Sequence, residues 1–388
     1  MKYKVCAVTG SRAEYGIMRP LLQKIKDSPH LDLVLAVTGS HLSAAFGETQ
    51  NEILADGFVI DCRIPLALDN LDQVGMINAT SQAMAAFGRY FSDNPPHLLI
   101  ILGDRYEIFG VATAAAMLGI SIAHLHGGET TEGAVDEFLR HSITKMSTLH
   151  FTACNEYRRR VIQLGEDPMR VFDVGALSVE NAMNTPFMTL QELSDSLDIP
   201  LAEGRFCVVT YHPVTMEKDT YKEQLQELIV AMDQYPQYFY LITKSNADVG
   251  GMAINALWEE QLPHHPNWIL VSSLGAVRYL SALRYAKAII GNSSSGILEG
   301  PAMKLPTVNI GDRQKGRMLA ESVINCQADA ESIAVAMEQA FSPAFQQKAK
   351  HAINPFGGEN ISQNILDQIV LYLQKGNFSG KKSFYDWR

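Results

Sequence analysis

Ala288-Ile289-Ile290-Gly291-Asn292-Ser293-Ser294-Ser295-Gly296-Ile297-Leu298-Glu299-Gly300 is the stretch on which the fold turns. A short apolar strand runs into a turn of small residues, and the turn opens a helix. Glu299 is expected in that helix's first turn. Glycine and serine let backbone N–H groups come close to an anion, and a helix N-terminus adds partial positive charge. A carboxylate at Glu299 can accept hydrogen bonds from a vicinal diol such as a ribose. Phosphate with ribose suggests a nucleotide. An ordinary strand–turn–helix, with Glu299 favouring the dipole, fits the same letters, so the stretch's partners elsewhere must decide.

Outward from that stretch, apolar strands and amphipathic helices alternate. Strands are expected at 206–210, 238–243, 268–271 and 287–290, with helices at 219–234, 249–260 and 276–284. An earlier series has strands at 4–9, 31–37, 98–102, 120–124 and 149–153, with helices at 16–28, 106–118 and 136–147. Leu98–Leu102 is continuously apolar, which suits a strand covered on both faces of a parallel sheet. The region 175–205, containing Asn184-Thr185-Pro186, reads as a connection between the two series. The expected fold is α/β, with two Rossmann-like, doubly wound domains facing a central cleft. Residues 1–178 form the first domain, joined by the C-terminal segment 360–388 with its helix 360–374, and residues 179–359 form the second.

Bulk properties narrow the function. The 388 residues are 47% apolar and 19% charged, as in a globular protein with large cores. A net charge of −10 argues against nucleic acid, whose phosphates need a basic footprint. No apolar run reaches membrane-span length. The first ten residues enter a strand directly, without a signal-peptide pattern. Five scattered cysteines without C-x-x-C spacing argue for reduced thiols in a cytoplasmic setting, and against disulfides or a zinc site.

Ligands of open α/β sheets bind beyond the carboxyl ends of the strands, and the polar clusters fall there. In chain order they are Ser11-Arg12-Ala13-Glu14-Tyr15-Gly16, Gly103-Asp104-Arg105, His124-Leu125-His126-Gly127-Gly128-Glu129, Tyr211-His212-Pro213, Lys244-Ser245-Asn246 and the Asn292–Ser295 turn. Asp104 ends a very apolar strand, where a partly desolvated carboxylate suits proton transfer; capping the next helix is its plainer role. Arg105 can bind phosphate or neutralise Asp104. Residues 126–137 are dense in acids and imidazoles, with Asp136 and Glu137 opening a helix and Arg140 and His141 one turn on. His-x-His without a third ligand is weak evidence for metal. His212 can protonate or hydrogen-bond a leaving phosphate oxygen. Arg12 and Arg313 offer cations suited to phosphate, though a surface ion pair is the commoner use of either.

As a set, these clusters resemble the hydrolysing UDP-N-acetylglucosamine 2-epimerases of sialic and legionaminic acid synthesis. Arg140-His141-Ser142-Ile143-Thr144-Lys145 and His212-Pro213-Val214-Thr215 belong to the same signature, which spans nearly the whole chain. The resemblance implies the GT-B architecture and a two-step reaction. UDP is eliminated across C1–C2; water then adds at C1 while C2 is reprotonated on the opposite face. It further implies Asp104 and Asp136 as acid/base carboxylates and His212 assisting UDP departure. Arg12, Gly16, Arg105, His126, Glu132, Arg140, Asn246, Ser293, Ser294, Glu299 and Arg313 would contact the substrate, with Glu299 on ribose. Relatives acting on UDP-N-acetylglucosamine often read His-Ile-Glu-Gly-Gly-Glu, the first Glu being catalytic. Here that position is His126, so Glu129, Glu132 or His126 takes the role, and Glu129 is the expected one. The same version also resembles enzymes acting on UDP-2,4-diacetamido-2,4,6-trideoxyglucose. A GT-B glycosyltransferase is the competing class. No metal or redox cofactor is required, the partner is a UDP-sugar, and a homodimer is expected.

Overall fold

A computed structural model describes residues 2–68, 72–131, 135–213, 220–245, 250–272, 274–358, 360–376, 378 and 380–386. It divides into two compact units. The first comprises Met1–Glu129, Asp136–Glu180 and Gly358–Arg388; the second comprises Thr130–Val135 and Asn181–Gly357.

The first unit is built on β1 (Tyr3–Thr9), β2 (Leu31–Thr38), β3 (Cys62–Ile64), β4 (Leu98–Leu102), β5 (Ile122–Leu125), β6 (Leu149–Thr152) and β7 (Val171–Asp173). They form one parallel sheet in the order β3-β2-β1-β4-β5-β6-β7. Because side chains alternate along a strand, β4 feeds two cores. Leu98, Ile100 and Leu102 pack on one face with Leu21 and Leu22 of the Arg12–Asp27 helix and with Ile365 and Ile369 of the Ile361–Gln374 helix. Leu99 and Ile101 pack on the other with Phe87, Phe91, Ile108 and Val111. The last helix thus belongs to the first unit's core. The tail beyond it stays on that unit: Ser121 Oγ donates to the Phe378 carbonyl at 2.9 Å, and Lys382 Nζ reaches Glu166 Oε2 at 2.6 Å.

The second unit repeats the plan with β8 (Phe206–Thr210), β9 (Phe239–Thr243), β10 (Trp268–Val271), β11 (Ile289–Gly291), β12 (Thr307–Ile310) and β13 (Val323–Cys326), all parallel, in the order β10-β9-β8-β11-β12-β13. In both sheets the strand order reverses beside the first strand, at β1/β4 and β8/β11. That is the switch point where open α/β sheets leave a crevice at their carboxyl ends.

Several boundaries differ from the expectation. The first helix begins at Arg12 rather than 16, because Ser11 caps it by accepting from the Glu14 N–H. Four short strands, β3, β7, β12 and β13, were not expected; at three or four residues each they carry too little pattern to read. Glu299 is not in the first turn of its helix. Ser294 is the cap, the helix runs Ser295–Ala302, and Glu299 is one turn further in.

Candidate active site

In the first unit, β4 ends in Gly103, whose φ is +72°, and the chain then presents Asp104 and Arg105. The helix that follows starts at Tyr106 without a side-chain cap, so Asp104 is not its cap. Instead Asp104 Oδ2 accepts from Nη2 of Arg140. Arg140 is 2% exposed and lies one turn into the Asp136–Met146 helix. Its Nη1 donates to the Glu129 carbonyl at 2.9 Å and to Glu137 Oε2 at 3.3 Å. Burial works against its charge, but Asp104, Glu129 and Glu137 together hold its pKa above the ordinary value. Glu137 also meets His141 Nε2 through Oε1 at 3.2 Å. One buried guanidinium therefore ties together the end of β4, the loop after β5 and the helix opened by Asp136.

His126 follows β5 with a φ of +63°, a left-handed conformation unusual for a residue with a side chain. Its Nδ1 lies 2.8 Å from Oε1 of Glu129, which is 5% exposed. The tight turn needs Gly128: at φ +80°, a Cβ there would stand 2.5 Å from the Tyr157 carbonyl oxygen. Beneath it, His124 Nε2 donates to the Gly103 carbonyl at 2.8 Å, and Nδ1 is 3.2 Å from Thr144 Oγ1. Burial pushes the His124 pKa down to about 3, so this ring is a neutral strut between the Asp104 turn and the Asp136–Met146 helix.

Arg105 does not neutralise Asp104. Its Nε donates to Oε1 of fully buried Glu107 at 2.5 Å, and the guanidinium on Asp104 is that of Arg140. Glu14 is buried nearby, with Oε2 accepting from the Gly10 N–H at 2.8 Å and the Ser11 hydroxyl at 3.2 Å. Burial, opposed by the charge of Arg105 and aided by that of Glu107, raises the Glu14 pKa to about 7. Arg12 is 45% exposed in its side chain and pairs with Glu52 at 3.7 Å, a surface contact. Gly16 lies inside the first helix, where an added Cβ would meet nothing within 4 Å.

In the second unit, β11 ends at Gly291, paired with Thr210 of β8. Only glycine fits: φ is +135°, and a Cβ would stand 1.9 Å from the Thr210 carbonyl oxygen. The turn that follows is organised by Asn292. Its Oδ1 accepts from the His212 N–H at 2.7 Å, and its Nδ2 donates to the His212 carbonyl at 2.7 Å. Its own carbonyl accepts from Arg313 Nη1 at 3.0 Å and Gln314 Nε2 at 2.9 Å. His212 is 7% exposed, and its Nδ1 lies 2.9 Å from Ser245 Oγ. Burial, reinforced by the charge of Arg313, lowers the His212 pKa to about 3. Ser293 Oγ accepts from the Ser295 N–H at 3.3 Å, and Ser294 makes no side-chain cap.

Within the first unit Asp104, His126, Glu129, Arg140 and the start of the Asp136 helix come together; within the second, His212, Arg313 and the Asn292–Ser294 turn do. Glu132 and Asn246 lie outside the described residues. Asn292, Gln314, Ser245 and Asn255 had no role assigned from the sequence, although Asn292 and Ser245 stood in the quoted clusters; His124, Glu14 and Glu107 had none either. Among the described residues no group of three or more His, Cys, Asp or Glu side chains is arranged to hold a metal ion.

Two doubly wound units, each with its polar residues at the carboxyl ends of its strands, define a protein of the GT-B class. A structure of UDP-GlcNAc 2-epimerase from Neisseria meningitidis bound to UDP-GlcNAc has this fold, with a TM-score of 0.80 at 16% identity, covering 95% of this chain and 100% of that one. The family model described as UDP-N-acetylglucosamine 2-epimerase matches residues 23–370. The polysialic acid biosynthesis protein P7 of Escherichia coli is 38% identical over 384 residues, 99% of this chain and 97% of its own. The GDP/UDP-N,N'-diacetylbacillosamine 2-epimerase (hydrolyzing) of Campylobacter jejuni is 38% identical over 347 residues, 89% of each chain. The chain belongs to the UDP-N-acetylglucosamine 2-epimerase family.

Proposed function

We propose that the protein is a hydrolysing 2-epimerase of a UDP-2-acetamido sugar, converting UDP-N-acetylglucosamine and water into N-acetylmannosamine and UDP for sialic-type acid synthesis. The single observation that carries this reading is the cluster Asp104–Arg140–Glu129–His126, which gathers carboxylates and an imidazole around one buried arginine. Binding a nucleotide needs no such set; moving a carbon-bound proton does.

In the first step a base of this cluster takes the C2 hydrogen. The C1–O bond breaks, its electron pair leaves with UDP, and a C1=C2 double bond forms. Asp104 and Asp136 are the acid/base carboxylates of the proposal. Glu129 keeps its catalytic role, working with His126 as one hydrogen-bonded unit. In the second step water supplies hydroxide to C1, and C2 receives a proton on the opposite face. His212 and Arg313 stabilise the departing diphosphate, Ser293 and Ser294 contribute at the turn, and Glu299 takes the ribose. Arg105, held by Glu107, and Arg12 are further cations for UDP, Arg12 only after leaving Glu52. Gly16 and Arg140 complete the proposed set, Arg140 by positioning Asp104.

A second reading keeps the chemistry and changes the sugar to UDP-2,4-diacetamido-2,4,6-trideoxyglucose. The named activity of the Campylobacter relative favours it. Side-by-side turnover of the two UDP-sugars tests which is preferred; a glycosyltransferase would release neither free sugar without an acceptor. The proposal also includes a homodimer, read by sedimentation. It includes a cytoplasmic setting, in keeping with five free cysteines and with no described helix long and apolar enough to cross a membrane.

A further inference from the structure

Two asparagines of the second unit do the same thing to different residues. Asn292 holds His212 by both backbone groups, as described above. Asn255, in the Gly251–Gln261 helix, holds Ser245: its Oδ1 accepts from the Ser245 N–H at 2.8 Å, and its Nδ2 donates to the Ser245 carbonyl at 3.2 Å. The two clamped residues then meet, His212 Nδ1 to Ser245 Oγ at 2.9 Å. Both are buried, at 7% exposure. Two backbone hydrogen bonds restrain each residue, so the ring and the hydroxyl are held in register.

The direction of this hydrogen bond matters. A buried hydroxyl proton needs an acceptor, and among the described residues Nδ1 is the acceptor that Ser245 Oγ meets. An imidazole that accepts at Nδ1 while neutral must carry its proton on Nε2. We propose that Ser245, clamped by Asn255, is a positioning residue that donates to Nδ1 and so fixes His212 as the Nε2–H tautomer, the donor a leaving nucleoside diphosphate requires. The inference deepens the proposed function and rests on it for the role of the diphosphate. On this account His212 stabilises UDP as a neutral hydrogen-bond donor. It need not give up its proton, because the diphosphate already leaves as a stable anion. The neighbouring Arg313 guanidinium acts in the same direction, since a second positive charge beside it is disfavoured.

Protein labelled with 15N in its histidine rings reads the tautomer directly, with His212 assigned by the signal lost in His212→Asn. With UDP added, the expected spectrum has Nδ1 unprotonated and Nε2 protonated. Ser245→Ala should mix the tautomers and lower kcat about 10- to 100-fold, with KM changed far less. Ser245→Thr, which keeps the hydroxyl, should restore both. Unchanged melting temperatures separate these effects from loss of fold. A protonated Nδ1 in the unsubstituted protein, or a Ser245→Ala enzyme with full kcat and an unaltered spectrum, overturns the inference. The tautomer is read without turnover. If the spectrum is as expected and no UDP-sugar is consumed, it is the proposed function that fails while the ring assignment stands.

Discussion

Arg140 stands with almost no access to water and three carboxyl-bearing residues around it. Burying such a charge is tolerable only while its partners remain, and removing one side of a buried pair typically costs about 3–5 kcal/mol. Arg140→Met should therefore lower the melting temperature sharply, because Asp104 and Glu137 lose the cation they share; a shift of less than a degree or two would show the pair to be incidental. Asp104→Asn removes charge without volume. It should leave UDP binding intact by calorimetry while turnover falls about 10²- to 10⁴-fold. His126 and Glu129 form one hydrogen-bonded unit, so His126→Gln and Glu129→Gln should each cost nearly what the double substitution costs. Additive losses would separate the two residues. At this scale the strand-end positions of Asp104, His126 and His212 were legible, because the apolar run before each marks where its strand stops. Asn255 was not: an asparagine that pins a residue ten positions away looks like any other helix asparagine until the backbone bonds are seen. Glu107 was hidden for a related reason, since nothing in the letters separates a carboxylate fully buried against Arg105 from an ordinary acid in a helix's first turn.

At the scale of elements, the β11 turn has the least freedom. Gly291→Ala would push a methyl into the Thr210 carbonyl, 1.9 Å from the ideal Cβ position, at a φ that alanine avoids. Expression of unfolded or aggregated chain is the expected outcome, seen by circular dichroism; a well-folded variant would contradict the geometry. The tail is held by Glu166, whose carboxylate collects Lys145 at 2.6 Å, His150 at 3.1 Å and Lys382 at 2.6 Å. Lys382→Ala removes one of these and the bond to the Ser147 carbonyl at 2.7 Å. A loss of about 1–3 kcal/mol in urea unfolding is expected, and no change would mean that the tail contributes nothing to the fold. The longer strands and seven of the fifteen α-helices among the described residues could be read within a few residues, because continuous apolar runs and amphipathic spacing report burial; the 21-residue Gln73–Asp93 helix was not expected. The short strands could not, since pairing with a neighbour rather than local pattern makes them strands.

For the whole molecule, acid should be destabilising. Burial, the leading cause in each case, lowers the pKa of His41 to about 4 and of His124 and His212 to about 3, from an ordinary 6.5. The unfolded chain takes up these protons first, so the stability they contribute is complete above pH 6.5 and is lost as pH falls toward 4 and 3. Glu14 works the other way: raised from 4.5 to about 7, it contributes below pH 4.5 and loses that contribution as pH rises through 7. The pKa of His150 is lowered by burial as well, so four histidines oppose one carboxyl as the pH falls from 6.5 to 4.5. Stability should fall by about 1 kcal/mol or more per pH unit across that window in urea titrations, and a flat profile would contradict it. The proposed exchange of a carbon-bound hydrogen with loss of UDP is read by NMR of the sugar released in D2O from UDP-N-acetylglucosamine and, in parallel, from its 2,4-diacetamido counterpart. Free sugar of inverted C2 configuration carrying deuterium at C2 is expected; released sugar with its original C2 configuration and hydrogen would overturn the proposed reaction.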